Sequence, residues 1–131
     1  KLEGRRVVLE GQTCSAFVPF AASQPFLVWI VPHRHSGCLS TMEPPEQEDF
    51  AAVLRETLAR FYHGLGDPDY NLVFRTASRD YVSVPFAHWY AALIPRLTNP
   101  AGFELGTGMF INTHLPEDDA AYLRGVPVRV E

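Results

Sequence analysis

Hydrophobic positions along the chain fall into short runs, with one long periodic stretch among them. Val7-Val8-Leu9, Cys14 to Val18 (stopped by Pro19) and Phe26 to Val31 read as three strands. The third is an unbroken apolar run between Pro25 and Pro32. Apolar on both faces, it predicts a central strand. The period then changes. Phe50, Val53, Leu54, Leu58, Phe61, Tyr62 and Leu65 recur at steps of three and four, which lays them on one face of a long helix. Pro44 and Pro45 suit its first turn, and Glu46, Glu48 and Asp49 complement the positive end of its dipole. Gly64 and Gly66 stop it.

Asp67-Pro68-Asp69 predicts a turn, and Tyr70 to Arg75 a strand. Phe86 to Leu93 predicts another strand, ending at Pro95. Gly102 to Asn112 carries glycines among Phe103, Leu105, Met109, Phe110 and Ile111, and Met109 to Ile111 reads as extended. Pro116 to Arg124 predicts a short helix, and Val126 to Val130 a terminal strand. The order predicts an α+β fold: a mainly antiparallel sheet with its helices on one face.

Composition narrows the function classes. A chain of 131 residues, 47% hydrophobic and 20% charged, fits a single domain over residues 1–131 that buries a real core. No apolar run reaches the roughly 18 residues of a membrane span. Lys1-Leu2-Glu3 does not open a signal peptide, and a start without Met suits a piece of something longer. Eleven Lys and Arg against fifteen Asp and Glu give a net charge of -4, which argues against nucleic acid or an anionic membrane as partner. Cys14 and Cys38 read as reduced thiols, buried or half-buried, and so as cytoplasmic.

Several groups could carry chemistry. His33 and His35 lie two apart after the central strand, so an extended chain points both to one side with Arg34 turned away. A zinc site there needs more ligands, and Cys38 is the nearest in sequence; a solvated strand end is the simpler reading. His88 and Tyr90 share one strand face, with Trp89 on the other. They form either a half-buried polar pair or part of a ligand site. Tyr90 is a poor nucleophile near neutral pH. In Gly102-Phe103-Glu104-Leu105-Gly106-Thr107-Gly108 the glycines allow backbone N–H groups to approach an anion, although no Lys-Ser/Thr follows as in a P-loop. Turns or bulges explain the same glycines equally well. Glu117-Asp118-Asp119 reads as negative charge on a helix N-terminus, with paired catalytic carboxylates as the alternative.

Four blocks together carry a resemblance. Phe26 to His35 resembles the strand, proline and basic tail of the galactose-1-phosphate uridylyltransferase family. Asp69 to Val73 resembles its next block, and His88-Trp89-Tyr90 through Leu97 its His-Trp-His strand. Ala101 to Asn112, followed by Pro116-Glu117, is similar to its C-terminal signature. The order holds over nearly the whole chain and matches the C-terminal one of the family's two histidine-triad-like halves. The resemblance implies a five- or six-stranded antiparallel sheet crossed by one long helix, with a short C-terminal helix. It implies nucleotidyl transfer between a UDP- or ADP-sugar and a hexose 1-phosphate, through a histidine in the N-terminal half.

Here the triad positions fall on His88, Tyr90 and Ala92. With tyrosine in the middle, this chain alone forms no covalent intermediate, and no residue of it is assigned as catalytic. The family's zinc or iron ligand positions would fall on His88, Tyr90 and near Arg75, which argues against a metal. Arg75 then supplies positive charge in place of the ion or meets a ligand phosphate. Carried over by position, sugar-phosphate contacts fall on Phe103, Leu105, Gly106, Thr107 and Gly108, with Asn112 and His114 nearby. The implied partners are a nucleotide sugar or hexose 1-phosphate and an N-terminal half of the same enzyme, with a homodimer as a further option. The alternative is a non-catalytic ligand-binding or interaction module with the same fold.

Overall fold

The computed structural model describes residues 4–128. Its core element is a five-stranded antiparallel sheet in the order β1-β2-β3-β5-β4. The strands are β1 (Val7–Glu10), β2 (Cys14–Phe17), β3 (Val28–Pro32), β4 (Tyr70–Arg75) and β5 (Tyr90–Pro95). Helix α1 (Pro44–Leu65) crosses one face, α2 (Gly102–Thr107) is a six-residue helix, and α3 (Pro116–Gly125) packs beside α1 and β1. No described helix is long and apolar enough to cross a membrane.

β3 is the central strand, as its apolar run predicts. It begins two residues later than the run, because Phe26 takes a left-handed backbone (φ 58°) and donates its N–H to Asp119 Oδ2 at 2.8 Å. Sheet pairing starts only at Val28, opposite Leu93. On the covered face Val28, Ile30, Ala91 and Leu93 meet Phe50, Val53 and Phe61 of α1 and Leu123 of α3 in one buried cluster. Fully burying side chains such as Trp89 and Phe61 contributes about 2–3 kcal/mol each.

Helix α1 matches its predicted limits. Pro44 and Pro45 occupy the first turn, Glu46 accepts the Glu43 N–H at 2.9 Å, and Gly66 closes the helix at φ 78°. Tyr62, expected on the buried face, is 56% exposed, while its neighbour Phe61 is fully buried. Thr57 takes a buried position instead, its hydroxyl donating to the Val53 carbonyl.

Three further expectations change. The strand expected from Phe86 starts at Tyr90, because residues 79–86 form consecutive turns and His88 makes only an isolated bridge to Ser36. The glycine-rich block is not a loop: Gly102–Thr107 is helical, and Met109 to Ile111 is irregular rather than a strand. The expected terminal strand is not formed at Val126 to Val128; Arg129 and Val130 lie outside the described residues, as do Lys1 to Glu3.

Candidate functional site

The candidate residues divide between the two ends of β5. At its N-terminal end stand His88, Tyr90 and Arg75. Tyr90 opens β5 and lies opposite Arg75, the last residue of β4. Both sit on the sheet face that α1 does not cover, since Ala91 and Leu93 take the buried side. Tyr90 stacks on Trp29 with ring centroids 4.3 Å apart, and Trp29 meets Phe17 edge-on at 6.3 Å. Trp89 points into the core, as strand alternation requires.

His88 stacks face to face on His35 at 4.3 Å and 7°. Its Nε2 lies 3.2 Å from the Arg34 carbonyl, so that nitrogen carries the proton and donates. Burial, and then the neighbouring His35, hold the His88 pKa below the usual histidine value. His33 and His35 do not converge on one side, because extended pairing stops at Pro32. His33 Nε2 instead meets Ser15 Oγ at 2.7 Å and Glu10 at 3.7 Å. Arg34 turns to α1 and forks onto Glu46 at 2.8 and 2.7 Å, and this pair draws the Glu46 carboxyl down to about 2. Cys38 bonds Ser40, which lowers its thiol pKa.

These residues do not fit a metal. His88 Nε2 is committed to a carbonyl, a phenol and a guanidinium stand at the other two implied positions, and among the described residues no three His, Cys, Asp or Glu side chains group as a metal site.

The second group lies at the C-terminal end of β5. Here a cavity of about 220 Å³ opens between residues 23–25, before β3, and residues 98–113. Ser23, Gln24, Thr98, Asn99 and Glu104 supply hydroxyl, amide and carboxylate groups, and Phe110 and Ile111 an apolar wall. Of these, Glu104 belongs to α2 and to the glycine-rich block, whereas Ser23, Gln24, Thr98 and Asn99 are ordinary loop polars that sequence reasoning did not single out and only the fold draws together. Among the described residues no Lys or Arg lines the cavity, so it suits the hydroxyls of a neutral ring better than a phosphate.

The expected backbone cradle is not formed. Glu104 accepts the Ala101 N–H at 3.0 Å, the Leu105 N–H bonds the Ala101 carbonyl, and the Gly108 N–H bonds the Glu104 carbonyl. Of the block's glycines only Gly108 has a left-handed backbone, φ 72°. The Thr107 hydroxyl is used locally, donating to the Phe103 carbonyl and accepting from the Met109 N–H. Phe103 is half-exposed, Leu105 is 76% exposed, and Gly106 sits in the helix.

Asn112 ties this segment down through its amide to the Ala22 carbonyl, and accepts the His114 N–H. His114 Nδ1 reaches Asp119 Oδ1 at 2.7 Å. Asp119 is only 2% exposed, so the third acid of the helix N-terminus is a buried anchor rather than a solvated charge. Phe26 packs edge-on between His114 and Tyr122.

The two groups are separated by the length of β5, about 17 Å at 3.3 Å per residue. One hexose phosphate cannot touch both.

No protein-family model matches the chain. Among curated proteins it is 34% identical over 122 residues to the ADP-glucose phosphorylase of Arabidopsis thaliana, covering 92% of this chain and 35% of that protein. It is also 34% identical to the galactose-1-phosphate uridylyltransferase of Thermotoga maritima, covering 95% of this chain and 42% of that one. The chain therefore spans less than half the length of these relatives. Among solved structures, the Arabidopsis ADP-glucose phosphorylase with bound ADP-glucose superposes with a TM-score of 0.88 at 31% identity, over 97% of this chain and 41% of that one. A zinc-bound histidine-triad protein from Mycobacterium smegmatis shares the fold alone, at 16% identity and a TM-score of 0.62.

Proposed function

Because this chain belongs with the galactose-1-phosphate uridylyltransferase-like proteins of the histidine-triad fold, we propose that it is the C-terminal domain of such a nucleotidyltransferase. In this reading residues 1–131 form one domain that holds the sugar side of a nucleotide sugar or hexose 1-phosphate. The nucleophile comes from an N-terminal half. The observation that carries the reading is Tyr90. It occupies the middle position of the resembling strand, its ring is stacked on Trp29, and a phenol there is a poor nucleophile near neutral pH.

Sugar binding rests on the cavity at the C-terminal end of β5. Its hydroxyls, amides and Glu104 match ring hydroxyls, and Phe110 offers an aromatic face to the apolar side of a sugar; Phe103 does not line the cavity. Thr107, Gly108, Asn112 and His114 shape the segment that walls it, chiefly through bonds to their own backbone and to Ala22 and Asp119. Arg75, His88 and Tyr90 stand outside the reach of a hexose 1-phosphate held there. The contribution to transfer is positioning.

Calorimetric titration of the chain with glucose 1-phosphate, galactose 1-phosphate, UDP-glucose and ADP-glucose tests this. Saturable binding that is lost in Glu104→Ala is expected. Saturable binding unaffected by Glu104→Ala removes the cavity from the reading. No binding by folded protein favours the second reading, a non-catalytic interaction module, to which Tyr90 and Ala92 also point.

A further inference from the structure

The buried acid of α3 and the histidine ahead of that helix form a carboxylate–imidazole pair. Asp119 is 2% exposed, and among the described residues each of its oxygens has one partner. Oδ2 accepts the Phe26 N–H at 2.8 Å, and Oδ1 faces His114 Nδ1 at 2.7 Å. An ionised carboxylate only accepts, so Nδ1 carries a proton and donates. A buried carboxylate whose other partner is a neutral backbone N–H calls for a cation, and the imidazolium of His114 is the one at hand. The His114 backbone is fixed as well, since its N–H bonds Asn112, which is tied to Ala22. The His114 side chain is 42% exposed, and among the described residues its Nε2 has no hydrogen-bond partner. One ring nitrogen is held and the other is open to a ligand.

The pair stands beside the polar cavity. Pro25 and Thr113 line that cavity, and the residues that follow them, Phe26 and His114, pack edge-on at 5.3 Å. The cavity offers neutral groups and Glu104, so a sugar phosphate seated there keeps its ring inside and its phosphate at the rim. Other charges near His114 are few. On α3, Glu117 turns to Arg6 at 3.6 Å, and Asp118 is exposed. Ahead of β3 the neighbour is the Phe26 ring, with Tyr122 of α3 packed against it. Among the described residues no Lys or Arg bonds Asp119 or His114, so each is the other's charged partner.

Given the sugar site proposed above, on which this rests, we propose that Asp119 is a positioning residue for phosphate recognition. It holds the His114 ring as an imidazolium, and the Nε2–H donates to the phosphate of a sugar 1-phosphate. The positive charge that the cavity lacks comes from this histidine rather than from Lys or Arg. Affinity for the phosphate then depends on pH and falls as His114 loses its proton.

Calorimetric titration of the chain with glucose 1-phosphate, glucose and inorganic phosphate, at about pH 6 and about pH 8 on either side of the ordinary histidine range, tests this. At the lower pH glucose 1-phosphate should bind about tenfold or more tightly than glucose. His114→Gln should weaken glucose 1-phosphate far more than glucose. Dividing the parent affinity by that of His114→Gln cancels the ligand's own titration, and the ratio should be larger at the lower pH. Asp119→Asn keeps an acceptor for the Phe26 N–H, while its amide NH₂ faces Nδ1 and moves the ring proton to Nε2. The ring then stays in place without its charge. This variant should bind glucose 1-phosphate as weakly at the lower pH as the parent does at the higher one, an effect that a merely structural Asp119 would not give. His114→Gln, made at an exposed side chain, keeps the test open if Asp119→Asn fails to fold. A phosphate preference that survives His114→Gln, or a ratio equal at the two pH values, overturns the proposal and leaves the sugar site standing. Inorganic phosphate that binds as tightly as glucose 1-phosphate marks a separate anion site and overturns it equally. A folded chain that binds neither glucose nor glucose 1-phosphate overturns the sugar site and this proposal with it.

Discussion

Asp49 of α1 and Thr13 at the β1–β2 hairpin are joined twice. Oδ2 of the aspartate accepts the Thr13 N–H at 2.7 Å and its hydroxyl at 2.8 Å. The Gln12 N–H and the Cys14 thiol converge on the same carboxylate. Burial works to raise the Asp49 pKa, but the hydrogen bonds outweigh it and the pKa is lowered. Gly11 is required beside it, because a Cβ there would stand 2.7 Å from both Asp49 Oδ2 and Val53 Cγ2. Asp49→Ala is expected to cost about 1–3 kcal/mol in urea denaturation, since it leaves hairpin donors unpaired. The Cys14 thiol, pushed up to about 12 by burial and then by Asp49, should ionise at lower pH in the variant. An unchanged thiol titration would remove Asp49 as a cause.

Glu46 gives a pH dependence with a definite sign. Its folded pKa, about 2, lies below the ordinary carboxylate value of 4.5, so its stabilising contribution is complete above about 4.5 and lost as the pH falls toward 2. Arg34 is exposed, so solvent screening weakens the pair. Denaturation midpoints measured between pH 6 and 2 (about the range spanned by the two pKa values) should fall less steeply in Glu46→Gln than in the parent chain. Parallel curves would show that the pair contributes nothing.

Tyr90 yields a prediction on chemistry. Incubation with UDP-glucose or ADP-glucose should leave the intact mass of the chain unchanged, with no nucleotidyl adduct. An adduct on any residue would contradict the assignment of the nucleophile to another half. Tyr90→Ala should also lose the Trp29 stack, at about 1 kcal/mol beyond buried area, and shift tryptophan emission.

Gly37 tests the segment that carries His88. A Cβ at this position would lie 2.6 Å from the Val82 carbonyl oxygen and 2.9 Å from its Cα, so backbone must move. Gly37→Ala should destabilise by about 1–3 kcal/mol and speed amide exchange over residues 77–89. Exchange that stays slow there would mean the turns adapt without cost.

The sheet and the long helix were legible because their signals are local and redundant. The apolar run before Pro32, the three-four spacing from Phe50 to Leu65 and the glycine stop each specify one element. Elements whose form depends on a distant partner were not. Phe26 belongs by composition to its strand, and Asp119, 93 positions away, removes it. The glycines of Gly102 to Thr107 suit an anion-approaching stretch, turns or bulges, yet the segment is helical, and Glu104 caps it by accepting the Ala101 N–H. His33 and His35 were placed by strand alternation that ends one residue too early. The polar cavity at the C-terminal end of β5 was only half visible: Glu104, Phe110 and Ile111 fall in the glycine-rich block, but Ser23, Gln24, Thr98 and Asn99 are unremarkable in their loops.

The bonds that fasten the N-terminal hairpin have a kinetic consequence. Asp119 holds Phe26 across 93 positions, Asn112 holds Ala22 across 90, and Arg124 reaches the Arg5 carbonyl across 119 and that of Val7 as well. During synthesis, the connection between β2 and β3 emerges long before the residues that lock it. Asp49 of α1 can fasten the hairpin turn early, but residues 5–7 and the β2–β3 connection must wait for the segment from Asn112 through α3, which makes their closure the late step.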